Sequence, residues 1–179
     1  GLTIPIPLSA IEVGYGLDTN FTIHCGIHTT AMLFGNLQMD AGLTYKLLNQ
    51  KKYIPNVSVN PGFNFIYSFE SEVSKFWPTL DANAYWNYGK RSSYIYVGFN
   101  NIFELSKTMA HEQAQKQRWI FSPQIGHVLK TKKEKWQLTT ELKFLALNQD
   151  NSYAFLPYKS LTGRYGATGF YLGLRYIIK

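Results

Sequence analysis

Two histidines stand in a setting that suits proton chemistry. His24 and His28 occupy even-numbered positions of one segment, and Asp40 and Lys46 occupy even-numbered positions of the next. A turn at 34–36 would pair the two segments and bring His28 close to Asp40. A histidine beside a carboxylate suits general acid–base catalysis or metal binding. The alternative is a hydrogen-bonded pair that fills a narrow interior.

Metal chemistry is not favoured by the spacing of these residues. Positions 24 and 28 on one strand lie about 13 Å apart, too far to share one metal ion. The chain has a single cysteine, Cys25, which excludes an intramolecular disulfide and a cysteine-rich metal cluster. We therefore expect no metal, no cofactor and no catalytic residue.

Two segments have the composition of a partner-binding surface. The first, 105–117, is rich in helix formers, and Ser106 is a candidate N-cap; it is either a short helix that meets a partner or a solvated loop. The second, 149–165, is unusually rich in apolar residues for a connection and should pack either on the rim of its own domain or on another protein. The candidate contact residues are Met109, His111, Tyr153, Phe155, Leu156, Tyr158 and Tyr165.

The composition restricts the class of protein that positions these residues. The chain has 179 residues, of which 45% are hydrophobic, 16% aromatic and only 16% charged. No stretch reaches the roughly 18 apolar residues of a transmembrane helix, and the mean hydropathy is negative. The net charge of +7 favours contact with anionic surfaces without choosing among them. The basic run at 131–135 has no stacking or recognition module beside it, so we expect no nucleic acid partner.

Apolar and polar residues alternate along most of the chain, as they do in strands with two different faces. The alternating segments are longer than the roughly 5–6 residues of a typical soluble strand and match the 9–11 residues of a membrane-spanning strand. We predict strands near 9–17, 20–33, 36–48, 55–68, 75–88, 92–104, 118–130, 135–148 and 166–178.

The polar positions of these segments predict a hydrophilic interior. Charges of both signs fall on one face, where ion pairs and hydrogen bonds would fill a narrow lumen while the apolar face meets lipid. Six aromatic residues near strand ends suit interfacial girdles, namely Tyr67, Trp77, Trp86, Tyr88, Trp119 and Trp136. The predicted lumen network comprises Glu12, His24, His28, Asp40, Lys46, Asp81, Glu141, Lys143 and Arg175.

The connections alternate between short and long. Those at 18–20, 49–54, 89–91 and 131–134 are short and polar, whereas 105–117 and 149–165 fall on the opposite side and are long. Outer-membrane barrels have this asymmetry, with the short turns in the periplasm. Because bacterial barrels usually have an even number of strands, we expect ten, with eight as the alternative; residues 1–8 would then form a short edge segment or a bend, since Pro5 and Pro7 cannot donate hydrogen bonds.

The fold class predicted for residues 1–179 is therefore one all-β domain, an antiparallel up-and-down transmembrane β-barrel. The long alternating strands, the unequal loops and the final segment 170–179 resemble small outer-membrane barrels of the OmpA-domain and OmpX kind. The resemblance covers the whole chain as a pattern and rests on no specific motif. It implies an integral position in a bacterial outer membrane, among its lipids and lipopolysaccharide, and leaves the function open.

Members of that group include adhesins, anchors, narrow channels and a few lipid A-modifying enzymes. The deacylases among them use a Ser–His pair on the lipid face near the outer rim. His127 lies on the apolar positions of its segment, but no serine is two residues away and its place is toward the periplasmic end. We interpret it as an interfacial histidine or as the mark of a β-bulge.

We therefore expect a non-enzymatic barrel that acts as a structural or partner-binding subunit, within a larger outer-membrane assembly or secretion complex. A narrow pore for small solutes is the first alternative. It is disfavoured because side chains fill the interior of a barrel with about eight to ten strands. A lipid A-modifying enzyme is the second alternative.

Overall fold

The computed structural model describes residues 9–90, 92–107, 114, 116–131, 135–150 and 161–177. Within them the chain is all-β, and each strand pairs antiparallel with the next in chain order, which gives one up-and-down sheet of nine strands. The strands are β1 Ala10–Gly16, β2 Phe21–His28, β3 Asn36–Leu48, β4 Asn56–Ser68, β5 Ser74–Tyr88, β6 Ser93–Phe103, β7 Trp119–Lys130, β8 Trp136–Asp150 and β9 Tyr165–Tyr176.

The nine predicted segments correspond to these nine strands, and all but one of the eighteen boundaries agree within two residues. The exception is the end of β2, which was predicted at residue 33 and lies at His28. The residues that follow, Thr29–Leu33, form a five-residue helix, α1. This prediction was wrong because alternation over so few residues also fits one helical turn.

Local hydrogen bonds explain why the chain leaves the sheet at this point. The Thr30 side chain is buried and accepts a hydrogen bond from the Ser9 backbone N–H at 2.7 Å. Gly35 ends the helical turn with a positive φ of 70°, a conformation that glycine adopts without a steric penalty. Its N–H donates to the carbonyl of Met32 at 3.1 Å. The turn then directs the chain into β3.

The two ends of the sheet differ in their connections. One end, which we call the short-turn rim, carries the connections at 17–20, 49–55, 89–92 and 131–135. The other end, the long-loop rim, carries 29–35, 69–73, 104–118 and 151–164. The expected asymmetry is thus present. Outside the described residues lie 1–8, for which a short edge segment or a bend was expected, and most of 105–117, for which a short helix or a solvated loop was expected.

Burial in this sheet is the reverse of burial in a soluble protein. On the apolar face Phe170, Leu172 and Leu174 are each 70% exposed, whereas the polar-face residues Ser122 and Gln137 are 3% and 7% exposed. Side chains on the polar face bond across two strands, so the sheet curls toward that face. Among the described residues no helix is long and apolar enough to cross a membrane.

The register places one predicted girdle residue on the wrong face. Trp77 pairs with Asn64 and therefore points to the polar side, where its Nε1 donates to Glu104 Oε2 at 2.7 Å. An indole N–H needs a hydrogen-bond acceptor when it is shielded from water, and Glu104 supplies one. Trp119 and Trp136 lie on the apolar face as expected, with 48% and 44% of their surface exposed.

Candidate functional site: the polar face

A tyrosine, a glycine and a glutamate form the most closely packed part of the polar face. Tyr96 on β6, Gly126 on β7 and Glu141 on β8 stand directly opposite one another on consecutive strands. The Tyr96 hydroxyl crosses over Gly126 and donates to Glu141 Oε2 at 2.5 Å. A Cβ on Gly126 would collide with the Tyr96 ring. The missing side chain of Gly126 is therefore what allows the bond to span two strands.

The same arrangement occurs one strand earlier. Asn83 on β5, Gly98 on β6 and Gln124 on β7 are also aligned across the sheet. Gln124 Nε2 donates to Asn83 Oδ1 at 3.4 Å above Gly98, and a Cβ on Gly98 would collide with both side chains. A glycine between two long polar partners is thus a repeated device of this face. It lets polar groups satisfy each other inside a narrow space.

The contact expected between His28 and Asp40 is present, with 2.9 Å between His28 Nε2 and Asp40 Oδ2. Asp40 stands opposite Gly26, and its carboxylate occupies the space that a side chain at Gly26 would need. Both partners are partly shielded, with 35% and 27% of their side chains exposed. A histidine held by one carboxylate in this way has a fixed ring orientation.

Four residues of the predicted network interact across the polar side. Asp81 accepts a hydrogen bond from Asn100 Nδ2 at 2.6 Å and interacts electrostatically with both Lys143 and His24. Lys143 Nζ also lies 3.8 Å from Glu141 Oε1. The His24 ring leans over Gly42, with its Nε2 2.8 Å from where a Cβ would be. Residues from β2, β5 and β8 therefore share one polar interior.

The remaining members of the predicted network stand apart. Glu12 on β1 is exposed and Lys46 on β3 is half-buried; within the described part of the chain neither side chain has an ion-pair partner. Arg175 on β9 interacts electrostatically with Tyr94 and Tyr96 but forms no ion pair there. Five of the nine predicted residues thus form hydrogen bonds or ion pairs, and His24 interacts electrostatically with Asp81. The other three lie nearer the edges or the rim.

Of the predicted partner-binding residues, only Tyr165 lies within the described part of the chain; Met109, His111, Tyr153, Phe155, Leu156 and Tyr158 lie outside it. Tyr165 begins β9 opposite Asp150, and its ring lies 5.2 Å from the Arg164 guanidinium. Arg164 in turn pairs with Asp150 at 3.5 Å. These contacts tie the start of β9 to the end of β8.

His127 on the apolar face has a partner that the sequence did not indicate. The Tyr88 hydroxyl is hydrogen-bonded to His127 Nε2, and the two rings stack with centroids 5.7 Å apart. Pairing of β6 with β7 is continuous from Tyr94 to Phe103, through the partner of His127. The β-bulge offered as one interpretation is therefore wrong, and His127 is a histidine near the short-turn rim.

No protein-family model, curated protein or solved structure matches this chain. The resemblance to OmpA-domain and OmpX barrels thus stays a prediction from pattern.

The polar face mainly pairs its polar groups with one another, although Asn60 Oδ1 and Gln124 Oε1 are buried without a hydrogen-bond partner. Its tyrosine, carboxylates and amides bond mainly to one another. No group of three or more His, Cys, Asp or Glu residues in the described ranges is arranged to hold a metal ion. Sequence reasoning did not identify Tyr96, Asn83 or Gln124, although glycines at polar strand positions were a usable signal.

One carboxylate at the long-loop rim is fixed by neighbouring donors. Glu104 follows the last residue of β6 and accepts hydrogen bonds from Trp77 Nε1 and from the Ser106 backbone N–H, the latter at 2.8 Å. Partial burial opposes its ionisation, but these hydrogen bonds and the charge of Lys75 outweigh burial and lower the pKa of Glu104 below its ordinary value. Glu104 thus fastens the start of the connection 104–118 to β5.

Proposed function

We propose that this chain is an integral barrel of a bacterial outer membrane that acts, without catalysis, as a structural or partner-binding subunit. The carrying observation is the inverted burial: large apolar side chains are exposed along all nine strands, while serine, asparagine and glutamine side chains are buried. In water, so much exposed apolar surface would drive association. In lipid, it is the expected outer face.

Strand directions support a role that involves a further strand. In an up-and-down sheet of nine strands, β1 and β9 run in the same direction, and within the described residues neither has a neighbour on its outer side. Lipid does not tolerate unpaired backbone groups, so the sheet must close. A strand that closed it with antiparallel pairing would have to run opposite to both edges, as a tenth strand or a strand from a partner would.

The contacts of the polar face favour a filled interior over catalysis or conduction. The Tyr96–Glu141 and Asn83–Gln124 bonds lie along the inner wall, each above the strand between its partners, and take up space that a channel would need. His28 faces Asp40 alone among the described carboxylates, and His127 contacts a tyrosine on the apolar face. These pairings support a plug of side chains that stiffens the barrel.

Refolding of the purified chain into phosphatidylcholine vesicles tests the membrane part of the proposal. We expect a compact band on unheated gels that shifts on boiling, and strands resistant to protease. A chain that stays monomeric, folded and soluble without detergent would contradict it.

Two further experiments test the function. Planar-bilayer recordings should show no steady openings, and affinity purification from native membranes in mild detergent should yield a stoichiometric partner. Steady conductance by a partner-free monomer would favour the pore instead.

A further inference from the structure

Within the described residues, the short-turn rim concentrates positive charge and has one carboxylate, Asp18. Its cations outside the polar interior come from three different turns and have exposed side chains. They are Lys51, Lys52, Lys90 and Lys135.

These cations have no carboxylate partners among the described residues. The ion pairs found there join His28 to Asp40, Lys143 to Glu141 and Arg164 to Asp150, and none of these lies at the short-turn rim. Asp18, the one described carboxylate at this rim, accepts hydrogen bonds from the N–H groups of Asn20 and Phe21 in its own turn. The charge of this rim is therefore available to an external anion.

The long-loop rim provides an internal comparison. Its cation Lys75 interacts with Glu104, and Arg164 pairs with Asp150. Glu70 and Glu72 add further negative charge to the same end. Within the described residues, the long-loop rim thus carries four carboxylates, whereas the short-turn rim carries one.

We propose that the short-turn rim binds the phosphate groups of anionic phospholipids in the leaflet that surrounds it. The inference rests on the proposed membrane-spanning function and adds a lipid class and a side to it. The cations follow the arc of the sheet from the β3–β4 turn to the β7–β8 turn, instead of forming one compact patch. An annulus of lipid headgroups matches that distribution, whereas an acidic protein would need a localised cluster.

An aromatic neighbour places one of the ammonium groups at headgroup level. Lys52 Nζ lies 4.9 Å from the centre of the ring of Tyr53, which is 79% exposed. Tyrosines and tryptophans mark the membrane–water interface. Lysine side chains beside them extend into the phosphate layer while their aliphatic stems remain on apolar surface.

The experiment compares two variants of the full chain, in each of which four cationic side chains are replaced by neutral glutamine. The short-turn variant combines Lys51→Gln, Lys52→Gln, Lys90→Gln and Lys135→Gln. The long-loop variant, the matched control, combines Lys75→Gln, Lys107→Gln, Lys116→Gln and Arg118→Gln. Each protein is reconstituted in phosphatidylcholine vesicles, and tryptophan quenching by brominated phosphatidylglycerol is compared with quenching by brominated phosphatidylcholine.

We expect the unmodified chain and the long-loop variant to favour phosphatidylglycerol about fivefold at low ionic strength, and high salt to reduce this preference. The short-turn variant should bind both lipids equally. Equal quenching by both lipids in the unmodified chain, or an unchanged preference in the short-turn variant, would overturn the inference. Quenching by brominated phosphatidylcholine shows separately whether the chain lies in the bilayer, so its absence would reject the membrane proposal instead.

Discussion

The glycines of the polar face act through the side chains that they leave out. Tyr96 and Glu141 are separated by a whole strand, and their hydroxyl–carboxylate bond exists because Gly126 offers no side chain between them. The bond crosses the middle of three strands and therefore holds their relative register as well as satisfying two partly buried groups. A residue without a side chain thus contributes to stability through its neighbours.

Replacement of Gly126 by alanine tests this role. Because a new methyl group would overlap the Tyr96 ring, Gly126→Ala should destabilise the folded chain by about 1–3 kcal/mol. Gly14→Ala is the matched control, since a Cβ there meets its nearest atom at an ordinary 3.7 Å; it should change stability by less than about 0.5 kcal/mol. Urea unfolding in vesicles measures both, and equal effects would show that the Tyr96 ring moves aside freely.

At the scale of elements, what the sequence could predict depends on how many strand registers a contact involves. The strands can be predicted from a period-two pattern that each segment contains by itself. To predict the His28–Asp40 contact, only the register of β2 against β3 has to be known. Tyr96–Glu141 needs two registers at once, and no local pattern specifies both. The helix α1 was missed because Thr29, Ala31 and Leu33 alternate like a strand, while its cause is a contact with Ser9 before β1.

Two leucines on the apolar face, one on β5 and one on β7, predict that the cost of a charged substitution depends on its depth in the membrane. Leu80 lies on the apolar face near the middle of β5 and is 46% exposed, and Leu129 lies on the same face near the short-turn rim and is 45% exposed. An arginine at mid-bilayer costs about 2–4 kcal/mol and one near the interface about 0–1 kcal/mol. Folding titrations in vesicles should therefore show a larger loss for Leu80→Arg than for Leu129→Arg. Equal losses would contradict a membrane-spanning apolar face.

Glu104 makes the end of β6 sensitive to acid. Because its pKa is lower in the folded chain than its ordinary 4.5, the ionised group stabilises the fold above the pKa of the unfolded chain. That contribution is lost as the pH falls through the lower, folded value. The advantage of the wild type over Glu104→Gln, less than about 1 kcal/mol after solvent screening, should vanish in acid. Urea unfolding at several pH values checks this, with the exposed Glu70→Gln as control; a difference that persists in acid would contradict it.

At the scale of the whole molecule, one geometric fact determines the rest: the sheet curls toward its polar side. The curl places Ser58, Ser122 and Gln137 out of solvent and leaves the aliphatic and aromatic face outermost. The two edges run in the same direction because the sheet has nine strands in up-and-down order. The proposed contacts with lipid and headgroups, and the proposed closure by a further strand, all depend on this orientation.

The single native cysteine offers a direct test of that orientation. Cys25 lies in the middle of β2 on the exposed apolar face, opposite Val13 and Ala41, whereas Thr22 on the same strand points to the polar side, opposite Thr44. A bimane fluorophore on Cys25, in a chain refolded into vesicles, should be quenched strongly by lipids with nitroxide-labelled acyl chains, because the label projects into the hydrocarbon layer. The same fluorophore on Thr22→Cys in a Cys25→Ala background should be quenched weakly, since the barrel wall separates it from lipid. Strong quenching at position 22 with weak quenching at Cys25 would mean that the polar face meets the membrane, and the proposed outer-membrane function would then be wrong.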